Sequence, residues 1–96
     1  MMGELNTFQF ECERFLMDLL DQRGFQIQAR EVVGGTEKYV HLRIANSDLE
    51  VWIYEDEAEY RVGDKHYNFE FSYYRDESKL IESFIRGLAQ DLPSRR

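Results

Sequence analysis

The stretch DLEVWIY, residues 48–54, decides the fold, because its side chains alternate between two kinds. Leu49, Val51 and Ile53 are aliphatic, whereas the side chains between them are charged or aromatic. A period of two is typical of a β-strand with one buried face. We therefore predict that this stretch is the middle strand of an antiparallel sheet, with its aliphatic side in the core and its other side open.

Four more strands can be placed around it from the same alternation and from the turn residues between them. They are residues 25–33, 38–45, 58–62 and 67–73. Their inward side chains are predicted to be Phe25, Ile27, Ala29, Val40, Leu42, Ile44, Ala58, Tyr60, Val62, Tyr67, Phe69, Phe71 and Tyr73. The Gly34-Gly35 pair lacks the spacing of a phosphate-binding loop, so we interpret it as a hairpin turn.

A helix is predicted at each end of the chain. Residues 6–23 start with Asn6 as N-cap and Gln9 as its capping-box partner, and they stop at Gly24. The second helix starts at Asp76 and ends at Pro93. The apolar stripes of the two helices are Leu5, Phe8, Cys12, Phe15, Leu16 and Leu19, and Leu80, Ile81, Phe84, Ile85, Leu88 and Leu92.

These elements predict an α+β fold with the order αβββββα. It is a two-layer sandwich, in which a five-stranded antiparallel meander carries the N- and C-terminal helices on one face. The 96 residues make a single domain, 1–96, and residues 1–5 and 93–96 are expected to be frayed termini. The second face of the sheet is then left open.

The short turns determine how the strands pair, because inward residues must lie opposite inward residues. Three rows of side chains are then predicted across the open face. They are Gln28, Arg43, Glu50, Arg61 and Asn68; Arg30, His41, Trp52, Glu59 and Glu70; and Val32, Tyr39, Tyr54 and Glu57. The first row alternates in charge, which favours this pairing.

The open face carries four large rings, those of Tyr39, His41, Trp52 and Tyr54, although a face exposed to solvent does not need aromatic side chains. They either raise strand propensity or form a contact surface for a partner, where Trp and Tyr are enriched. On the second hypothesis the candidate partner-binding residues are Tyr39, His41, Trp52, Tyr54, Arg30, Arg43 and Glu59, with Glu55, Asp56 and Glu57 from the following turn.

The chain has 19 acidic and 12 basic residues and a net charge of −7. This charge repels phosphate backbones, and no basic stripe longer than Arg95-Arg96 is present, so nucleic acid is not an expected partner. No membrane partner is expected either, since no run of 18 apolar residues occurs. A start without signal-peptide features and a single cysteine, Cys12, lead us to expect a cytoplasmic protein.

The sequence carries no recognisable catalytic, metal-binding or cofactor-binding motif. His41, His66 and Cys12 lack zinc-site spacing, and the carboxylates of residues 55–59 lack the ligand pattern of a calcium loop. One alternative stays open, a small-ligand or enzymatic site on the open face at Arg30, His41, Trp52 and Glu59. A deep pocket at that row would favour this alternative, and a flat aromatic surface would favour a protein partner.

The leading hypothesis is a non-enzymatic protein-interaction module whose partner is a protein with a basic contact surface. Immunity proteins and secretion chaperones are analogies of class only, because no family motif is matched. Phe10 and Met17 lie off the first helical stripe and either wrap a sheet edge or contact a partner. Together with the rings of the open face they also predict a two-fold homodimer.

Overall fold

The computed structural model describes residues 5–92, which form one open sheet with a helix at each end. The elements are α1 (Thr7–Arg23), β1 (Ile27–Val33), β2 (Tyr39–Ile44), β3 (Leu49–Ile53), β4 (Glu57–Val62), β5 (Lys65–Glu70) and α2 (Glu77–Asp91), with a 3₁₀ turn (Phe71–Tyr73) before α2. Each strand pairs antiparallel with the next, in the order β1-β2-β3-β4-β5. The predicted α+β order αβββββα is confirmed. The predicted frayed termini and the predicted helix end at Pro93 concern residues outside the described range. Leu5 is the exception, since it is described and packs against the core.

Helix α1 begins and ends as its sequence predicts. The Asn6 side chain accepts a hydrogen bond from the Gln9 backbone N–H at 2.8 Å, and the Gln9 side chain accepts one from the Asn6 N–H at 3.0 Å. Gly24 ends the helix with φ 82°, a left-handed conformation that costs glycine little. Asp76 likewise caps α2 through the Lys79 N–H. Within residues 5–92 no helix is long and apolar enough to cross a bilayer.

The core lies between the two helices and the inner face of the sheet. Its buried apolar side chains are Phe8, Cys12, Leu16, Leu19, Leu20, Phe25, Val40, Leu42, Ile44, Leu49, Val51, Ile53, Ala58, Tyr60, Leu80, Ile81, Phe84, Leu88 and Leu92. The aliphatic side of β3 is therefore inside, as predicted. The prediction that Phe15 belongs to the buried stripe of α1 is wrong, because this residue is 41% exposed on the flank of α1 that faces α2.

The pairing of the three central strands is also confirmed. His41 lies opposite Trp52, and Trp52 opposite Glu59. Arg43 and Arg61 lie on either side of Glu50. These registers follow from two-residue turns, and in the first of them Asn46 adopts φ 57°.

Strand β1 differs from the prediction. A β-bulge between Ile27 and Ala29 shifts the pairing, so Arg30 lies opposite Leu42 and Val32 opposite Val40. A bulge exchanges the two faces of the strand beyond it. Arg30 and Val32 were predicted to face outward, but they belong to the inner face. Ala29 was predicted to face inward, but it is exposed on the outer face.

The bulge is compensated by an ion pair beneath the first helix. Arg30 Nε donates to Glu13 Oε2, and Arg30 Nη2 donates to Glu13 Oε1 at 2.9 Å. Glu13 is only 9% exposed, so its carboxylate needs this partner. At the same time, half-buried Val32 packs against the core. The shifted register thus satisfies one buried charge and buries one more apolar side chain.

Strand β5 is displaced by two residues from its predicted register. Val62 pairs with Lys65 across a two-residue turn, where Gly63 has φ 62° at the first central position, as in type II′ turns. The strand ends at Glu70, and the next residues form the 3₁₀ turn. The prediction that Phe71 and Tyr73 are inward strand residues is therefore wrong, and Tyr73 is 78% exposed.

Candidate functional site

Three rows of side chains cross the outer face, which is the face of the sheet away from the helices. They are Ala29, Arg43, Glu50, Arg61 and His66; Glu31, His41, Trp52, Glu59 and Asn68; and Val33, Tyr39, Tyr54, Glu57 and Glu70. The middle members of every row agree with the predicted rows. Their ends differ because β1 is bulged and β5 is shifted by two residues.

Trp52 stands at the centre of this face between two histidines. The His41 ring is stacked on the indole, with centroids 5.1 Å apart and an interplanar angle of 5°. From the other side of β3, His66 contacts it with a centroid distance of 5.9 Å and a tilt of 47°. Both flanks of the indole are thus covered by imidazoles. The three rings form a half-exposed row that is held in place by neighbouring strands.

Glu50 anchors one end of this row. His41 Nε2 lies 3.0 Å from Glu50 Oε2, and Arg61 Nη2 donates to Glu50 Oε1. Partial burial alone would raise the pKa of Glu50, but the hydrogen bond with His41 and the charges of Arg61, His41 and Arg43 outweigh it and lower that pKa. Glu50 therefore carries its charge within a paired network, and this network fixes the orientation of His41 against Trp52.

A second aromatic pair lies beside the row, where Tyr39 and Tyr54 have ring centroids 5.0 Å apart. Burial, followed by the negative charge of nearby Glu59, raises the pKa of Tyr54 to about 12. Its hydroxyl therefore stays neutral and available as a hydrogen-bond donor at physiological pH. The pair adds a half-exposed ring surface next to a negatively charged region.

That region is a carboxylate cluster made of Glu57, Glu59 and Glu70. Asn68 Nδ2 donates to Glu57 Oε2 at 2.8 Å and to Glu59 Oε2 at 3.1 Å, and His66 Nε2 lies 3.1 Å from Glu59 Oε1. Burial raises the pKa of Glu57, and proximity to Glu59 and Glu70 raises it further, although the hydrogen bond from Asn68 opposes this. Glu57 and Glu59 thus share one amide, and Glu59 also contacts one imidazole, whereas Glu70 accepts a hydrogen bond from the Ser72 hydroxyl at 3.4 Å. Negative charge therefore predominates at this end of the outer face.

Replacing Glu57 by glutamine is expected to stabilise the protein at pH 7 by up to about 1 kcal/mol. A raised folded-state pKa means that folding favours the protonated carboxyl, so stability is lost as the pH rises through that pKa. The glutamine amide would mimic the protonated form, so the gain should shrink towards zero at pH 4. Urea denaturation at both pH values measures this, with Glu55→Gln in the exposed turn as the charge-matched control. A Glu57→Gln variant less stable than the wild type at pH 7 would show that Glu59 and Glu70 do not destabilise the charged form of Glu57.

The structure brings together most of the predicted site residues. Tyr39, His41, Trp52, Tyr54 and Glu59 are contiguous on the central strands, and Glu57 adjoins them. Exposed Glu55 and Asp56 lie in the β3–β4 turn, and exposed Arg43 lies in the row of Glu50. Arg30 is the exception, since it is on the inner face, and the row of Arg30, His41, Trp52 and Glu59 is not formed.

His66 is missing from the predicted rows, and Glu50, Asn68 and Glu70 are present in them without the contacts that they make here. Glu50 was placed correctly, but its bond to His41 is diagonal across the strands and not directly opposite. Contacts of the other three depend on the β5 register. The one available signal was Gly63-Asp64, which favours a two-residue turn and hence the observed pairing.

Two cavities of residues 5–92 are not lined by His41, Trp52 or Glu59. One is an apolar groove between the helices, and the other is a polar depression lined by Arg43, Glu50 and Arg61 with neighbouring turn residues. Within residues 5–92 no group of three or more His, Cys, Asp or Glu side chains is arranged to hold a metal ion. Around Trp52 the outer face is thus a surface of packed rings and charges, and the polar depression adjoins it at Glu50, whose carboxylate contacts His41.

Comparison with known proteins gives no match to a family model, to a curated protein or to a solved structure.

Proposed function

We propose that this protein is a non-enzymatic cytoplasmic interaction module that binds a protein partner on the outer face of its sheet. The observation that carries the proposal is the contiguous set of half-exposed rings, Tyr39, His41, Trp52 and Tyr54, on adjacent central strands. Their positions are fixed by backbone pairing and ring packing, so little side-chain entropy is lost on binding. Tyr and Trp in such settings are the residues that contribute most to protein interfaces.

The charge of this surface supports a basic partner. The carboxylate cluster and the exposed Glu55 and Asp56 place five acidic side chains along one end of the outer face and its turn. Their field extends about one Debye length, roughly 8 Å at physiological salt. A positively charged partner surface would be attracted by this field, which mainly raises the association rate.

The cavity linings support binding over catalysis, because neither the groove between the helices nor the polar depression is lined by His41 or Glu59. A flat face excludes water poorly, whereas catalytic groups act best where water is excluded. The small-ligand alternative also loses Arg30, which pairs with Glu13 on the inner face. No specific observation favours that alternative over a protein partner.

Two charge-matched variants test the proposal. The turn variant, Glu55→Gln/Asp56→Asn/Glu57→Gln, and the helix variant, Glu11→Gln/Glu77→Gln/Glu82→Gln, each remove three negative charges, but from opposite layers. Immobilised wild type, turn variant and helix variant are used to capture proteins from the native host, and the association rate of each captured protein is measured against salt. For a partner bound on the outer face, the turn variant should slow association about tenfold at low salt and flatten its salt dependence, while the helix variant should associate like the wild type.

Trp52→Ala should act differently, because it removes contact area and no charge. We expect it to raise the dissociation rate about tenfold or more, with little change in the association rate. Capture of no protein, or equal capture and equal rates for all variants, would contradict the proposed function.

We also propose that the chain self-associates as a two-fold dimer. Phe10 is 63% and Met17 39% exposed, and both lie on the side of α1 that carries Glu13, above β1. Apolar surface of this kind on a small domain favours a contact between copies. Light scattering at tens of micromolar measures the state, and a strict monomer of 11.6 kDa would remove this part of the proposal.

A further inference from the structure

A groove of about 870 Å³ runs between the two helices. Its lining within the described chain comes from α1, α2 and the cap residue Asp76, with no strand residue, so it lies on the layer opposite to the outer face. Along its floor, Ile81, Ile85 and Ala89 follow one another at intervals of four residues on α2. Phe15 of α1 contributes a ring that is 41% exposed. The floor is therefore a continuous apolar strip along α2.

The helices run in the same direction beside this strip. Arg23 at the end of α1 donates to the carbonyl oxygens of Ala89 at 3.1 Å and Leu92 at 2.6 Å, near the end of α2. Glu11, in the first half of α1, lines the groove together with the start of α2. The lined stretch from Asp76 to Ala89 corresponds to about 20 Å of helix. A guest helix of about 13 residues matches this length.

The rim of the groove is acidic. Four carboxylates line it, from Glu11, Asp76, Glu77 and Glu82, against a single guanidinium, that of Arg86. Arg86 is engaged by Glu82 at 2.9 Å. Nearby, the Arg14 guanidinium lies 4.8 Å from the centroid of the Phe15 ring, so a cation over this ring fits the local geometry. The charges at the rim complement a basic guest.

The guest is expected to be helical and not extended. Both walls are helices whose backbone groups are used within the helices, so the groove offers no row of free N–H and C=O groups to pair with a strand. A helix satisfies its own backbone and presents apolar side chains at i, i+3, i+4 and i+7. A second copy of this chain is disfavoured, because its groove would present the same acidic rim to an acidic rim.

We propose that this groove binds a basic amphipathic helix of a partner protein. Apolar side chains of the guest lie on the strip of Ile81, Ile85 and Ala89, and its flanking Lys or Arg residues pair with Glu11 and Glu77. The site is independent of the outer face, since the two surfaces lie on opposite layers. One molecule therefore carries two acidic binding surfaces of different shape.

The test uses two synthetic amphipathic peptides of about 16 residues with leucines at i, i+3, i+4 and i+7 spacing. One carries lysine and arginine on both flanks of the leucine stripe, and the other carries glutamate there. Each is titrated into the ¹⁵N-labelled full chain while amide shifts and peptide helicity are followed. The basic peptide should bind saturably, become helical and shift the amides around Phe15, Ile81 and Ile85, with at least tenfold lower affinity for the acidic peptide.

Variants locate the site. The helix variant should weaken the basic peptide about tenfold at low salt, and the turn variant, with the same net charge, should leave its affinity unchanged. Ile85→Ser should weaken binding at all salt concentrations. Because Ile85 is half-buried, the helix variant, which replaces exposed Glu11 and Glu82 and half-buried Glu77 by glutamines of the same shape, keeps the test valid if Ile85→Ser folds poorly. The proposal is overturned if the basic peptide gives no saturable shift up to about 1 mM. Equal binding of both peptides, shifts confined to the outer face, or a dimer that Ile85→Ser dissociates would overturn it as well.

Discussion

Replacing Phe84 by alanine is expected to lower the free energy of unfolding by about 3–5 kcal/mol. The Phe84 side chain has no exposed surface, and its ring packs edge-on against Tyr60 at 6.1 Å and Phe69 at 5.7 Å between centroids. Its removal leaves a cavity where α2 meets β4 and β5. Since a domain of this size is stable by roughly 5–10 kcal/mol, about half of the stability would be lost.

Urea denaturation at a protein concentration at which the chain is monomeric measures the effect, with Phe10→Ala as the matched control. Both substitutions replace a phenylalanine within a helix, but Phe10 is 63% exposed, so its loss should cost less than about 1 kcal/mol. A denaturation midpoint for Phe84→Ala close to that of Phe10→Ala would show that α2 does not bury the predicted stripe.

Replacing Gln9 by leucine is expected to cost about 2–4 kcal/mol, although leucine is similar in size and less polar. The Gln9 side chain is fully buried. Its Nε2 donates to the carbonyl oxygens of Lys38 at 3.0 Å and Ile53 at 3.2 Å, so it ties α1 to the ends of β2 and β3. Leucine would leave both carbonyls, and the Asn6 N–H, without this partner.

Gln9→Glu adds a pH signature to the same position. A carboxylate there would face the carbonyl oxygens of Lys38 and Ile53, so its folded-state pKa would be raised and stability would fall as the pH rises through it. We expect a larger loss at pH 7 than at pH 4, measured by urea denaturation. Gln22→Leu and Gln22→Glu, at an exposed position of the same helix, are the controls and should change stability by less than about 0.5 kcal/mol. Wild-type stability of Gln9→Leu would contradict the tie between the helix and the strands.

The helices and the central strands could be predicted because local signals decide them. The capping pair Asn6 and Gln9 and the stop at Gly24 depend only on neighbouring residues. The two-residue turns at 46–47 and 55–56 likewise fix the pairing of β2, β3 and β4 without reference to distant contacts. The central part of the candidate surface, which consists of Tyr39, His41 and Trp52 on β2 and β3, follows from that pairing.

The edge strands could not be placed by alternation alone. In β1, Ile27 and Val32 are both apolar but lie an odd number of residues apart, so no regular strand puts both on the inner face. That change of parity is the sequence signal for a bulge, but its position depends on the pairing of Arg30 with Glu13 of α1, which is a long-range contact. In β5, a shift by two residues keeps the same face inward, so the hydrophobic pattern does not distinguish the two registers.

These two edge strands explain why the residues of the observed surface differ from those predicted for it. The bulge in β1 removes Arg30 from the outer face and brings Glu31 opposite His41. The shift in β5 brings His66 beside Trp52 and Asn68 beside Glu59. The result is a surface with fewer cations and one more imidazole than predicted, which strengthens its acidic character.

Trp52 reports directly on whether a partner binds the outer face. Trp52 is the one tryptophan of the chain, so its indole N–H gives a single signal in ¹⁵N–¹H spectra of the labelled protein. The partner captured by the wild type is titrated into the labelled chain while this signal and the backbone amides of α1 and α2 are followed. We expect the indole signal to shift or broaden saturably, together with the amides of Tyr39, Tyr54 and Glu59. An indole signal that stays unchanged while the partner saturates the protein would show that the partner does not bind the outer face.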